Sequence, residues 1–285
     1  MRFPTCLGAW YSVRSKSMGQ KENGAKNSKG RWDELWRHRR RPPYVYQNVV
    51  QAAEDFLGGV KGKFILEVGC GRGATLLELA RRGATTVGLD YSEEALDVCR
   101  AHERQNGTTG RTTFVNGDAR KLPFPSESFD YVFSVGLIEH FEDPGQLLAE
   151  QNRVLRRGGY ILVQVPQTYS LYTPMKMLLI RLGKWPYGGW ETQFSKRQLS
   201  DLAVKAGFEP QLCYGYGSLT LAFARHWIAP TLDYGRMWKV GINSPWLRAL
   251  KATTSAEVCL IASKCAISTG PRALTEDVSV FRTSA

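Results

Sequence analysis

Three glycines at alternate positions, Gly69, Gly71 and Gly73, follow an acidic residue, Glu67, at the end of an apolar run. Glycine lets a chain turn sharply and lets its backbone approach a ligand closely. An amphipathic stretch begins at Ala74, so free helix N–H groups and a positive dipole end would face whatever the turn holds. Such a turn suits a carboxylate or a phosphate, and Glu67 suits an ammonium. A bound zwitterion such as an amino acid satisfies both. Two more carboxylates lie downstream. Asp90 closes a β-branched run 17 residues after Gly73, and its oxygens can accept from both hydroxyls of a ribose diol. Asp118 follows the next run, where a carboxylate can accept from an exocyclic amine. The backbone N–H of Ala119 can meet a ring nitrogen beside it.

Taken alone, the glycine turn leaves two ligands open. Gly69–Ala74 also satisfies the G-x-G-x-x-A form of a dinucleotide site. An acidic ribose ligand belongs to both readings. Asp90 also has a purely local reading as a helix N-cap, although Ser92 is better placed for that role. The stretch from Asn116 to Asp130 discriminates, because a dinucleotide fold has no reason to place Asp118 and Ala119 directly before another strand.

These residues need elements to hold them. Phe64–Val68 reads as a short apolar strand, and Ala74–Arg82 carries Leu76, Leu77, Leu79 and Ala80 at helical spacing. Thr85–Leu89 is a strand, and Ser92–Arg104 a helix opened by a Ser cap. Arg111–Asn116 and Phe129–Ser134 are strands. Pro144–Arg156 is a helix that Gly158-Gly159 ends, and Tyr160–Val165 is a buried strand. Ser195–Gly207 is a capped helix, Phe208–Tyr214 a strand and Glu257–Lys264 a last strand. Strands alternating with helices imply a parallel sheet of βαβ units. Val45–Phe56 reads as a helix leading into this core, after Pro42-Pro43 stops whatever precedes it.

Composition bounds the rest. The chain has 285 residues, 43% hydrophobic and 22% charged, which is ordinary for a globular protein. No stretch approaches the roughly 18 apolar residues of a membrane span. The net charge of +12 is uneven, with 11 Lys/Arg against 3 Asp/Glu in residues 1–41. Residues 1–41 therefore read as a basic, disordered arm, 42–266 as the folded domain, and 267–285 as a tail. Insertions are expected at about 167–194 and 215–256. The arm's charge keeps a nucleic-acid partner in view. Met1–Arg14 lacks a continuous apolar core, so the cytoplasm is the expected location. A mitochondrial leader stays open, because no acid precedes Glu22. Six cysteines without a C-x-x-C pair fit reduced thiols rather than zinc or a disulfide framework.

The stretch from Ile65 to Pro166 resembles the class I S-adenosylmethionine-dependent methyltransferases. It is closest in pattern to the type 11 group that includes ubiquinone- and menaquinone-biosynthesis enzymes. The matching pieces are LEVGCGRG, GLDYSEEAL, NGDARKLPFPSESFDYVFSVGLIEHFEDP and VLRRGGYILVQVP. QFSKRQLSDLAVKAGFEP is similar to the family's late helix and strand. The resemblance implies a Rossmann-like three-layer α/β sandwich, with a seven-stranded, mostly parallel sheet whose final strand is antiparallel. It implies S-adenosylmethionine as cofactor, with the methionine moiety at Glu67, Gly69, Gly71 and Gly73. It puts the ribose on Asp90, Tyr91 against the adenine, and the adenine on Asp118 and Ala119. The backbone near Ser134 and Val135 would lie beside the sulfonium.

Methyl transfer from a sulfonium needs alignment and exclusion of water, and a base only where the acceptor must lose a proton. His140 follows the fourth strand and is the candidate base; a histidine hydrogen-bonded within a helical turn is the local alternative. VGLIEHFEDP is similar to ubiquinone-pathway O-methyltransferases, which carry a Glu-x-x-Glu-His metal pattern. Gly136 stands where its first Glu would be, so no metal is expected. Tyr44 and Tyr46 are candidates to cover the pocket. Trp185, Tyr187, Trp190, Tyr214, Tyr216 and Trp227 form either an acceptor lid or a satellite core. The expected partner is a small apolar or aromatic acceptor, methylated on oxygen or carbon. An RNA or protein methyltransferase using the arm, a non-catalytic cofactor-binding protein and a nicotinamide oxidoreductase are the competing readings.

Overall fold

The computed structural model describes residues 28–38, 44–106, 110–168, 173, 177, 178, 181, 182, 191–216 and 257–265. Most of the arm, most of both insertions and the tail lie outside the described residues. Trp185, Tyr187, Trp190 and Trp227 lie there too.

Seven strands form one sheet: β1 (Phe64–Val68), β2 (Thr85–Asp90), β3 (Thr112–Asn116), β4 (Phe129–Val135), β5 (Leu155–Pro166), β6 (Phe208–Tyr216) and β7 (Glu257–Lys264). Their spatial order is β3-β2-β1-β4-β5-β7-β6. The first five are parallel, and β7 runs antiparallel to both β5 and β6. The chain goes outward from β1 to β3 and then returns to β4 on the other side of β1. That reversal opens a crevice at the carboxyl ends of β1 and β4.

Helices cover both faces. They are α1 (Lys29–His38), α2 (Gln47–Leu57), α3 (Ala74–Arg81), α4 (Glu93–Asn106), α5 (Pro144–Val154) and α6 (Lys196–Lys205). Alternation along the strands feeds two separate cores. Leu66, Val68, Val132, Ile161 and Val163 pack with Leu147 and Leu148 of α5 and Leu199 of α6. Ile65, Tyr131, Phe133 and Leu162 pack with Val49, Val50 and Ala53 of α2 and Leu76 and Leu79 of α3. The α5 start is fixed by Asp143, which accepts from the N–H groups of Gly145 and Gln146, and α6 opens with a capping box between Ser195 and Gln198.

Three boundaries differ from the sequence reading. Helix α5 stops at Val154, and β5 already begins at Leu155. The Gly158-Gly159 pair lies inside the strand, where the β4–β5 register shifts between Phe129 and Tyr131. A Cβ on Gly159 would sit 2.8 Å from the Asp130 carbonyl oxygen, so the glycine serves close strand packing and not a helix stop. Strand β6 runs on to Tyr216, because β7 pairs with it as far as Glu257.

The third difference is α1, which occupies part of the segment expected to be disordered. Lys29, Trp32, Asp33, Trp36 and Arg37 follow i, i+3, i+4, i+7, i+8 spacing, one face of a helix. Every one of them meets the domain. Lys29 Nζ lies 5.9 Å from the Tyr91 ring centroid. The Trp32 ring stands edge-on to His140 at 4.9 Å. Asp33 Oδ1 accepts from Ser92 Oγ at 2.5 Å, and Arg37 pairs with Glu94 at 2.7 Å. Trp36 rests on Gly71, where an added Cβ would come within 2.7 Å of its ring.

That last contact is testable. Gly71 has φ of 53°, so Gly71→Ala should cost about 1–3 kcal/mol from backbone strain alone, plus the collision with Trp36. Urea unfolding of Gly71→Ala, Trp36→Ala and the double variant should show that removing the indole recovers part of the loss. Strict additivity would mean that Trp36 does not rest on Gly71.

Candidate functional site

The crevice is built from three turns at the carboxyl end of the sheet. The first leaves β1 through Gly69, Cys70, Gly71, Arg72 and Gly73 into α3. Gly69 and Cys70 both donate their N–H to the Leu89 carbonyl, at 2.7 and 3.0 Å. This anchors the turn to the end of β2. Cys99 from α4 donates its thiol to the Gly71 carbonyl at 3.1 Å.

The second turn joins β2 to α4, and Asp90 locks it to the first. One Asp90 oxygen accepts from the N–H of Gly71 at 2.8 Å, and the other accepts from the N–H of Ser92 at 2.9 Å. Burial pushes the Asp90 carboxyl above its ordinary range, and these backbone donors oppose that push. Ser92, not Asp90, caps α4, accepting from the Ala95 N–H at 3.4 Å. Tyr91 projects its ring at the rim, two-fifths exposed.

Glu67 is almost fully buried beneath the first turn. Its Oε2 has no hydrogen-bond partner among the described residues. Burial first, then the neighbouring Asp90 charge, hold its carboxyl well above the usual carboxylate range. Leaving a buried carboxylate oxygen unmet is costly, so this atom calls for a cation or donor that the described residues do not supply. With the first N–H groups of α3 following the turn, the crevice fits the charge pattern of a zwitterion.

The third region follows β3. Asp118 and Ala119 stand there as expected, with Ala119 buried. Asp118 carries a partner that the sequence reading left out. The guanidinium of Arg120 donates to both its oxygens, at 2.7 and 3.0 Å, and the Arg120 N–H adds a bond at 2.9 Å. Burial raises the Asp118 carboxyl, but these bonds outweigh burial, and it lies below its ordinary value. An amine reaching Asp118 must therefore share it with Arg120.

On the far side of β1 the crevice is walled by the end of β4. Val135 ends that strand, and Gly136 turns away with its N–H on the Gln164 carbonyl at 2.9 Å. His140 closes a 3-10 turn, Ile138–His140, half-buried against Trp32. The structure thus brings Glu67, Gly69, Gly71, Gly73, Asp90 and Tyr91 around one crevice. Asp118 and Ala119 flank it beyond β2, and Val135 and His140 beyond β4. No group of three His, Cys, Asp or Glu side chains placed to hold a metal occurs among the described residues. Sequence reasoning missed Trp32 and Trp36, although their spacing with Lys29, Asp33 and Arg37 carried the signal.

Comparison with known proteins bears on this geometry. A family model described as a methyltransferase domain matches residues 66–163. A fatty-acid O-methyltransferase of Mycolicibacterium smegmatis is 44% identical over 105 residues, 36% of this chain and 37% of that protein. The chain thus spans little more than a third of that relative's length. A second protein of that organism, described as an S-adenosylmethionine-dependent methyltransferase, is 30% identical over 225 residues, 76% of this chain and 77% of the relative. Among solved structures, a chain from the complex of the Haloferax volcanii Trm112 methyltransferase activator with a methyltransferase superposes with a TM-score of 0.56. It is 18% identical and covers 82% of this chain and 97% of that one. That structure shares this chain's fold, and the long match at 30% identity carries the assignment: the chain belongs to the class I S-adenosylmethionine-dependent methyltransferases.

Proposed function

We propose that this chain transfers a methyl group from S-adenosylmethionine to oxygen or carbon of a small apolar or aromatic acceptor. The observation that carries this reading is the buried Glu67 Oε2, without a partner among the described residues, beside a turn of three glycines. In this reading the Glu67 carboxylate receives the ligand ammonium. The N–H groups at the start of α3 receive its carboxylate. Asp90 offers the free lone pairs of its two oxygens to the ribose hydroxyls. Tyr91 lies against the adenine, whose edge meets the Ala119 N–H and the Asp118 carboxylate shared with Arg120. When bound, the cofactor supplies an electrophilic methyl group on a positively charged sulfur. The chain's task is then to hold the acceptor in line near Val135 and to keep water out.

The cover for that task is α1. Its Trp32 and Trp36 close over the His140 turn and the glycine turn. Within α1, Arg37 is paired with Glu94 and Lys29 sits over Tyr91. These contacts turn Lys29 and Arg37 toward the domain, which fits a small acceptor better than a nucleic-acid substrate. The name of the fatty-acid O-methyltransferase relative points to acceptors of the same apolar kind.

Calorimetry separates the cofactor readings. S-adenosylhomocysteine should bind with micromolar affinity and NAD should not. The reverse would make the chain a nicotinamide protein. Asp90→Ala should weaken S-adenosylhomocysteine by about 1.5–3 kcal/mol, and an unchanged affinity in the folded variant would remove Asp90 from the site. Glu67 adds a proton signature. A cation arriving beside a carboxyl held above its usual range draws it back down. Binding should therefore release protons, seen as a dependence of the measured heat on buffer ionisation enthalpy, and Glu67→Gln should abolish that dependence. Equal release in the variant would mean that the ammonium lies elsewhere.

A further inference from the structure

A second polar cluster stands on the acceptor side of the crevice. Its position follows from register. Phe133, Leu162 and Ile261 form one row across β4, β5 and β7 on the face covered by α2. Two residues further along each strand the same face carries Val135, Gln164, Cys259 and, on β6, Tyr214. The row beyond that, at the very edge, pairs Pro166 with Glu257 and Glu257 with Tyr216. The apolar face therefore turns polar where the strands end. Glu67 shares this face, since it pairs with Phe133.

The polar groups are joined. Gln164, fully buried, donates its side-chain N–H to Glu257 Oε2. Asn48 of α2 donates to Gln164 Oε1 at 2.7 Å, which fixes the orientation of that amide. Gln164 is opposite Val135, so its bond draws the Glu257 carboxyl back toward the end of β4. Two strand spacings, about 10 Å, separate β7 from β4, with β5 between them. Tyr44 and Tyr46 pack edge to face at 5.0 Å. Tyr46 is tied to the start of α3, its N–H donating to Thr75 Oγ1 at 3.0 Å. The tyrosine pair thus links the cluster to the glycine turn.

We propose that Glu257 is the base that takes the proton from a phenol-type hydroxyl acceptor, oriented for this by the Gln164–Asn48 pair. This rests on the methyl-transfer reading and narrows it to oxygen. As the acceptor O–H bond breaks, its proton passes to a Glu257 oxygen. The oxygen lone pair forms the new O–C bond, and the C–S bond breaks with its electron pair returning to sulfur. His140 is then left as a wall residue against Trp32. Burial pushes the Glu257 carboxyl up to about 7, with Gln164 opposing and the charge of Glu191 adding to the push. Among the described residues, the other titratable groups beside it are Tyr216, Tyr214 and Cys259, all raised by burial and thus neutral at working pH. A carboxyl titrating near 7 is matched to proton removal at neutral pH.

The test uses the full chain, with 4-nonylphenol and dodecanoate as acceptors. Dodecanoate is already ionised and needs no base. Wild-type transfer to the phenol should climb through pH 7 and level off. Glu257→Gln should lose about 100-fold or more on the phenol and lose the pH limb, with a far smaller change on dodecanoate. Glu257→Asp should retain the limb at reduced rate. Calorimetry on protein loaded with S-adenosylhomocysteine gives a second readout. Phenol affinity should rise about tenfold from pH 6 to pH 8 in the wild type, following ionisation of a group near 7, and stay flat in Glu257→Gln. Unchanged phenol transfer, an equal loss on both acceptors, or a phenol affinity that is absent or equal in wild type and variant would overturn the assignment. Failure of S-adenosylhomocysteine to bind the wild type would instead overturn the methyl-transfer reading beneath it.

Discussion

The Asp90 carboxylate fastens two turns at once. One oxygen holds the N–H of Gly71 and the other the N–H of Ser92, so the loop after β1 and the loop after β2 cannot move independently. Hydrogen bonds from buried backbone to a charged acceptor are each worth about 1.5–3 kcal/mol, more than any surface ion pair nearby. The same carboxylate lies close enough to Glu67 to raise it further. Two acids are therefore buried side by side under a turn whose N–H groups at Gly69, Cys70, Gly71 and Gly73 are already bound within the chain, which leaves the first N–H groups of α3 as the open donors. In the proposed reading, a molecule with an ammonium, a carboxylate and a diol meets Glu67, the first N–H groups of α3 and Asp90 in turn, so few side chains are needed to hold it.

The sheet order converts that local chemistry into a reaction site. Because β4 lies on the opposite side of β1 from β2, the crevice has two flanks. Acids of β1 and β2 build one flank. The ends of β4, β5 and β7 build the other, and there the reversed direction of β7 matters. It brings the first residue of β7, Glu257, to the carboxyl end of β5. Were β7 parallel, that edge would hold the last residues of the strand instead. The antiparallel strand is thus how a residue far along the chain reaches the acceptor flank.

The legible parts of the molecule were those written in consecutive residues. The glycine turn, Glu67 and Asp90 could be read because a strand, a turn and a helix start are local events. The strand of Tyr160–Val165 was recognised by its apolar run, but its true beginning at Leu155 was not. Gly158-Gly159 looks like a helix stop, and only the close approach of the Asp130 carbonyl shows why glycine is needed there. The bond from Arg120 to Asp118 spans two residues, yet it depends on a rotamer that spacing does not determine. Gln164 and Asn48 were invisible for a different reason, since their meeting is set by the packing of α2 on the sheet. Helix α1 was overlooked because two tryptophans in a basic segment make a weak apolar stripe, and the face is completed by Lys29, Asp33 and Arg37, which bind the domain as polar groups.

That composition bears on how the crevice opens. A helix of 10 residues has little stability of its own in water. The described contacts that hold α1 include Trp32 on His140, Trp36 on Gly71 and beside Arg72, Lys29 over Tyr91, the Asp33–Ser92 hydrogen bond, and one ion pair, Arg37–Glu94, whose side chains are 58% and 38% exposed. Exposed ion pairs contribute at most about 1 kcal/mol. The core helices, by contrast, bury whole apolar faces against the sheet. The cover over the crevice is therefore its least costly part to displace, while the two acids and the glycine turn beneath it are locked by Asp90. In the proposed reaction a cofactor of this size enters and leaves once per cycle, and of the elements around its turn α1 is the one with the least holding it.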